Sequence, residues 1–372
     1  MDRKPLEARP TIARFGAAWL LLSLLAACQT ISPAPDRLVD QLEACASPED
    51  QARLEAAEAA LAQGQFEPAL QAARDLLPVN PGCARLPIVA RRAVSLLPAG
   101  ERAKVAREFR ELMTGALAAA EDPVHRANLD FGLSLFARSA KARRKWLENA
   151  LAESSKHYYA LCKYGEYLWK RGDLETARER LTQAVSLRRS LAEGWLLLAQ
   201  VAEDRGLYRT ADKHYATYLG LRPLDRQARA NHARLLVYQL RDPDRAEKIL
   251  DRLWRDDPTN VEVGLHRGLV YFLQKRWKAA EAVYFDLLRR NPREARVVLS
   301  LGNLYHSGTM DSKRALQAYR YLLQLPASSD LQAGLNQALF VPTRIKEIER
   351  TLQDRGIPLP APPHSVEDLI EA

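Results

Sequence analysis

The side chains of this 372-residue chain that could perform chemistry are few and scattered. Seven histidines (His125, His157, His214, His232, His266, His306 and His364) are spread along it. None stands beside another histidine, a cysteine or a carboxylate at a metal-binding spacing, and there is no His-Glu-x-x-His helix. No glycine-rich phosphate loop and no Gly-x-Ser-x-Gly nucleophile turn occurs. The carboxylates sit singly on predicted helices, as solvated faces do. No catalytic residue, cofactor or metal is expected, and the chain reads as a non-enzyme. The net charge of +9 and isoelectric point near 9.4 raise the question of nucleic acid. Lysine and arginine alternate with Asp and Glu, so no nucleic acid is expected; anionic lipid head groups, glycans or an acidic protein surface suit the charge better. Recognition is what remains.

The elements that would carry a recognition surface repeat themselves between Tyr159 and Pro326. One small residue recurs as Gly165, Ala199, Ala233, Gly268 and Gly302, at intervals of 34, 34, 35 and 34. An alanine recurs as Ala177, Ala211, Ala246, Ala280 and Ala315, and a proline as Pro223, Pro258, Pro292 and Pro326, with the same period. A fixed period of this length signals stacked helical units. In the clearest copy Trp195, Leu198, Ala199 and Ala202 share one helical face at i, i+3, i+4 and i+7. Gly206 ends that helix; Ala211, Tyr215 and Tyr218 mark a second, and Pro223 closes the unit. Small residues at Ala199 and Ala211 let two backbones approach closely while aromatic and leucine side chains fill the flanks.

The pattern resembles the tetratricopeptide repeat, whose signature is matched by Trp195, Leu198, Ala199, Ala202, Ala211, Tyr215 and Pro223. The resemblance implies an all-α fold, a right-handed α-solenoid of helix hairpins with about five tandem repeats over residues 157–326. Single extra residues at Leu240–Asp244 and Ser307–Asp311 are expected in the turns between helices. Ala56, Ala57, Ala60, Gly64, Ala69, Ala73, Leu76 and Pro81 fit a small-residue copy within an N-terminal helical region, residues 36–156. Ala57 precedes Gly165 by 108 residues, not a whole number of periods, so the register breaks between them. Helices are expected there over Ile88–Leu96, Glu101–Ala120, Val124–Ala140 and Ala142–Leu151. Past Pro326, Leu331–Phe340 and Thr343–Asp354 are expected as capping helices within residues 327–356, covering the last repeat. The proline-rich tail, residues 357–372, is expected to be extended, with Val366, Leu369 and Ile370 free or docked onto a partner.

Residues 1–27 have a basic start and an apolar run, Phe15–Ala27, too short to span a bilayer; they read as a cleaved leader. Leu25-Ala26-Ala27-Cys28 resembles a bacterial lipobox, which implies acylation of Cys28 and a lipid anchor followed by a tether, residues 28–35. A plain secretory leader with an incidental cysteine is the alternative. Gln29 in place of Asp implies the outer membrane, facing the periplasm. Cys45 precedes the first helix of the opening repeat and Cys83 follows its second, so antiparallel helices bring the two together as a candidate disulfide. Cys162 is read as a small buried or groove residue.

In such a stack the concave wall is built by the first helix of each unit. The helix phase assigns to it Tyr159, Glu166 and Trp169; Glu193, Leu196, Gln200 and Glu203; Arg234 and Val237; Glu262, Leu265, Leu269 and Phe272; and Arg296, Leu299, Asn303 and His306. Trp169 and Phe272 are the expected anchors; packing between repeats is the alternative use of these aromatics. The wall lacks the Lys/Asn/Arg array with which chaperone-binding members clamp a peptide carboxylate. The expected function is a scaffold holding a segment of an envelope protein, a secretin or other outer-membrane complex, while a secretion, pilus or motility machine assembles. The alternative is a regulator of peptidoglycan or exopolysaccharide machinery that binds enzyme or glycan.

Overall fold

The structure, a computed structural model, describes residue 42, residues 45–325 and residues 335–371. The expected leader, Cys28, the tether, Pro326 and Leu331 lie outside them. Every regular element among the described residues is helical. The chain divides into two units, one up to Tyr164 and one from Gly165.

The first unit holds α1 (Pro48–Ala62), α2 (Glu67–Leu76), α3 (Arg85–Leu96), α4 (Ala99–Ala119), α5 (Pro123–Leu135), α6 (Ala140–Glu153) and the start of α7 (Tyr158–Lys170). Three starts are fixed by side-chain caps. Ser47 Oγ accepts from the Asp50 N–H, Asp122 Oδ1 from those of Val124 and His125, and Ser139 Oγ from that of Ala142. The last cap corrects the helix expected over Val124–Ala140: it stops at Leu135 because Ser139 already opens the next one. The broken period also has a local cause. α4 runs 21 residues, against 14 for Leu174–Leu187 in the regular stretch, an excess of about two turns. Inside this unit His157 Nε2 lies 2.8 Å from Asn128 Oδ1, and its Nδ1 accepts from the Ala160 N–H at 3.1 Å. Asn128 donates in turn to the Gly82 carbonyl. A neutral imidazole with its proton on Nε2 satisfies the whole chain of bonds.

The second unit continues with α8 (Leu174–Leu187), α9 (Ala192–Asp204), α10 (Tyr208–Leu221), α11 (Arg226–Leu235), α12 (Pro243–Asp256), α13 (Val261–Leu273), α14 (Trp277–Arg290), α15 (Ala295–Asn303), α16 (Ser312–Gln324), α17 (Leu335–Asp354) and α18 (Val366–Glu371). The recurring small residue sits at each hairpin crossing. A Cβ on Gly165 would lie 2.6 Å from Leu181, on Gly268 2.2 Å from Tyr284, and on Gly302 2.6 Å from Tyr319. Ala199 and Ala233 are fully buried in the clusters that hold Tyr215 and Leu250. Each small residue therefore faces a Leu or Tyr 16 or 17 positions later. Successive repeats are also tied by ion pairs: Arg245 to Asp212 at 2.7 Å, Arg276 to Glu247 at 2.7 Å and Arg314 to Glu281 at 3.1 Å. The three acids directly follow the alanines Ala211, Ala246 and Ala280.

The extra residue of the 35-residue repeats is not in the turns. In the shorter repeats Gly172, Gly206 and Lys275 adopt positive φ, and the next N–H reaches a carbonyl five residues back: Asp173 to Leu168, Leu207 to Ala202, Arg276 to Tyr271. In the longer ones Arg241 and Met310 take the positive φ, and the next N–H reaches six back, Asp242 to Leu236 and Asp311 to Tyr305. The added residue is absorbed as a π-helical turn closing the first helix, over Leu236–Leu240 and Leu304–Thr309. The turn that follows keeps its geometry.

The C-terminal end corrects two further expectations. A single helix, α17, runs through Pro342 in place of two. Val341, Ile345, Ile348 and Leu352 form one stripe, 2–8% exposed, and its burial outweighs the break that proline favours. The tail then folds back. Arg320 Nη1 donates to the Pro360 carbonyl at 2.7 Å, and Ser365 and Asp368 cap α18 reciprocally. Val366 and Leu369 are buried against α14 and α16, so the tail packs on its own chain.

Candidate partner-binding groove

The first helices of the repeats in the second unit carry the candidate surface. They line a cavity of about 470 Å³ together with residues of the adjoining helices: Tyr238, Leu265, Leu269, Phe272, Tyr284, Ala295, Arg296, Leu299, Ser300 and Asn303. Six of these belong to the wall expected from helix phase: Leu265, Leu269, Phe272, Arg296, Leu299 and Asn303. Phe272 is steadied edge-on by Trp277, ring centroids 5.2 Å apart. Tyr284 is the same residue that closes the Gly268 crossing, so the seam between helices forms the cavity floor. Burial raises the phenol pKa of Tyr284 and Tyr238, which keeps two neutral O–H groups in an apolar hollow. The one charged residue of the lining, Arg296, bonds Glu262 at 3.2 Å and Glu294 at 2.9 Å.

Val237 is the clear correction. It is 1% exposed, and Tyr238, 47% exposed, occupies the place assigned to it. The π-helical turn at Leu236–Leu240 rotates the helix end by one residue, so the groove position moves from four to five residues past the small crossing residue. His306 is displaced for the same reason by the turn at Leu304–Thr309: it is half-buried beside Arg344 and Glu347 of α17, and burial lowers its pKa. Tyr238 was missed because periodicity assumed uninterrupted α-helix; Ala295, Ser300 and Tyr284 were missed because small, neutral or second-helix residues carry no sequence signal for a wall.

The other expected residues are spread along the array. Trp169 is half-exposed and its Nε1 donates to Asp204 at 2.6 Å, which fixes the indole between two repeats. Glu203 accepts from Tyr215 at 2.6 Å and Arg234 at 2.7 Å. Glu166 pairs with Lys170, Glu193 is exposed, and Leu196 and Gln200 are half-buried. Tyr159 falls in the first unit, where it stacks on Phe131 with centroids 5.8 Å apart, a packing role.

The cysteine pair lies in the first unit. The Sγ atoms of Cys45 and Cys83 are 3.5 Å apart, in hydrogen-bond contact without a covalent bridge. Burial, then the neighbouring Cys83, pushes the Cys45 thiol up to about 12, so neither sulfur is poised as a nucleophile. Cys162 is 1% exposed. Among the described residues no three of His, Cys, Asp and Glu gather as metal ligands would, and no helix is long and apolar enough to cross a membrane.

Residues 162–226 and 237–304 match two profiles of the tetratricopeptide repeat, so the chain carries these repeats there. No curated protein matches the sequence significantly. Among solved structures, a tetratricopeptide repeat protein from Parabacteroides merdae is 16% identical over 68% of this chain and 97% of its own, with a TM-score of 0.45. YrrB, described as a TPR protein with an unusual peptide-binding site, is 16% identical over 51% of this chain and 97% of its own, with a TM-score of 0.43. PilF of Pseudomonas aeruginosa is 17% identical over 67% of this chain and 94% of its own, with a TM-score of 0.40.

Proposed function

We propose that this protein is a protein-binding scaffold whose groove in the second unit holds an apolar segment of an envelope protein, such as a secretin or another outer-membrane component, during assembly of a secretion, pilus or motility complex. The observation that carries the groove is the cavity walled by Tyr238, Leu265, Leu269, Phe272 and Leu299, set within residues that match tetratricopeptide repeats, a fold that builds binding surfaces for proteins. The envelope location rests on the sequence of the first 28 residues: an acylated Cys28 would hold the chain on the outer membrane, facing the periplasm.

The test is photo-crosslinking in cells from a benzoylphenylalanine placed at Tyr238, with the same probe at Arg209 as the control. The expected result is an adduct with one envelope protein that Arg209 does not give. Trp169→Ala together with Phe272→Ala should lower its yield by about tenfold or more, with the helical circular dichroism unchanged. An unchanged yield rejects the groove. Labelling with an alkyne analogue of palmitate should fail in Cys28→Ala; a label that persists removes the anchor and leaves the groove standing.

A further inference from the structure

Five guanidinium groups of the first unit are neutralised by carboxylates. Arg53, Arg74, Arg85, Arg126 and Arg144 each meet one at 2.5–2.9 Å. Seven others, Arg91, Arg92, Arg102, Arg107, Arg110, Arg138 and Arg143, have no such partner among the described residues, and four of these gather around Phe136 and Arg110 at the end of α5. Arg110 Nη1 donates to the Phe136 carbonyl at 3.2 Å. The Arg91 guanidinium carbon lies 5.9 Å from the Phe136 ring centroid. Arg138 follows two residues later, and Arg107 stands one turn before Arg110 on α4. Arg110 is half-buried and the other three are exposed. Among the described residues no carboxylate forms an ion pair with any of the four. Burial, Arg138 and Arg107 together outweigh the nearby Glu111 and hold the Arg110 guanidinium below its ordinary pKa.

Residues 85–163 hold 15 Lys and Arg against 8 Asp and Glu, a net charge of +7. The even interleaving read from the sequence therefore fails over this stretch.

We propose that the Arg91, Arg107, Arg110 and Arg138 cluster binds a phosphate oxyanion, and that the head group of an acidic phospholipid supplies it. Like charges gathered with no carboxylate paired to them are relieved by an external anion, and the planar guanidinium fork matches a phosphate in geometry as well as sign. The Phe136 carbonyl pre-sets Arg110, so one donor group is ordered before any ligand arrives. The cluster is open, with three exposed side chains and no enclosing walls, which suits a head group presented on a surface better than a small solute needing enclosure. The site stands in the first unit and does not depend on the groove.

The test is sedimentation of the full chain with phosphatidylglycerol-containing vesicles and with pure phosphatidylcholine vesicles; the basic, apolar leader is common to every variant, so comparing the ratio between variants cancels its contribution. The wild-type ratio should favour phosphatidylglycerol, and Arg107→Gln with Arg138→Gln should cut it by about tenfold. The charge-matched control, Arg209→Gln with Arg222→Gln, should leave it in place. Titration with inorganic pyrophosphate separates the source. Saturable binding lost in the Arg107/Arg138 variant, with an unchanged vesicle ratio, keeps the oxyanion site and makes its ligand soluble. A variant that behaves like the control in both arms overturns the proposal.

Discussion

The two units solve one problem, the packing of successive helix hairpins, by different means. In the second unit a single solution is reused: a Gly or Ala crossing a Leu or Tyr 16 or 17 residues later, with an acid after the alanine comb bonded to an arginine of the next repeat. In the first unit the contacts are each made once, by the His157–Asn128–Gly82 chain, the Cys45–Cys83 pair and a 21-residue helix. A regular period in sequence is thus the trace of one crossing used many times. Irregular stretches are not poorly packed; Phe109, Phe131 and Tyr158 are as deeply buried as Tyr319.

The largest test of this contrast is oxidation. Bridging Cys45 and Cys83, 38 residues apart, should stabilise the first unit by about 4 kcal/mol, an increment that the second has no counterpart for. Urea melts with and without reductant read it, beside mass spectrometry of alkylated, unreduced peptides. Two alkylated thiols recovered after treatment with oxidised glutathione would refute the bridge.

Next is the crossing itself. Gly268→Leu, driven into Tyr284, should cost about 3 kcal/mol. Gly115, inside α4 with nothing within 4 Å of its virtual Cβ, should gain about 0.5–1 kcal/mol as alanine. Equal effects in denaturant melts followed by circular dichroism would show that the Gly268 crossing is no tighter than an open helical position.

The smallest effect is in acid. Burial lowers His157 to about 4 from 6.5, so below pH 6.5 the unfolded chain takes a proton that the folded one refuses, and stability falls as pH drops. Burial, then Glu153, raises Asp130 to about 6 from 3.8, so between those values the folded chain is protonated first and stability rises as pH drops. The two oppose each other, and the first unit should be nearly flat from pH 6 to 4.5. Asp130→Asn should uncover the histidine as a loss of about 2 kcal/mol over that range. His232 and His266 of the second unit, both lowered chiefly by burial, lose stability in acid, and among the described residues of that unit no raised carboxyl offsets them. Amide exchange by mass spectrometry, corrected for intrinsic rates, resolves the units; matching slopes would contradict the assignment.

What could be read from the sequence follows from the same contrast. Gly165, Ala199, Ala233, Gly268 and Gly302 announced the hairpin crossings because steric demand there admits few residue types. Leu265, Leu269, Phe272 and Leu299 followed from helix phase alone. The groove position of Tyr238 did not, because a π-helical turn changes phase without any distinctive residue. The packed tail escaped because four prolines suggested extension, while the burial of Val366 and Leu369 depends on a surface supplied by α14 and α16. The arginine cluster escaped because Arg91 and Arg110 stand 45 and 26 residues before Phe136, and only the fold brings them to it.

The two π-helical turns carry one more consequence. A residue gained at the end of a first helix leaves the stacking seam and the following turn untouched, yet swings a different side chain toward whatever lies in the hollow. Specificity in this array can therefore drift by insertion rather than replacement, at helix tips where the backbone tolerates the added length.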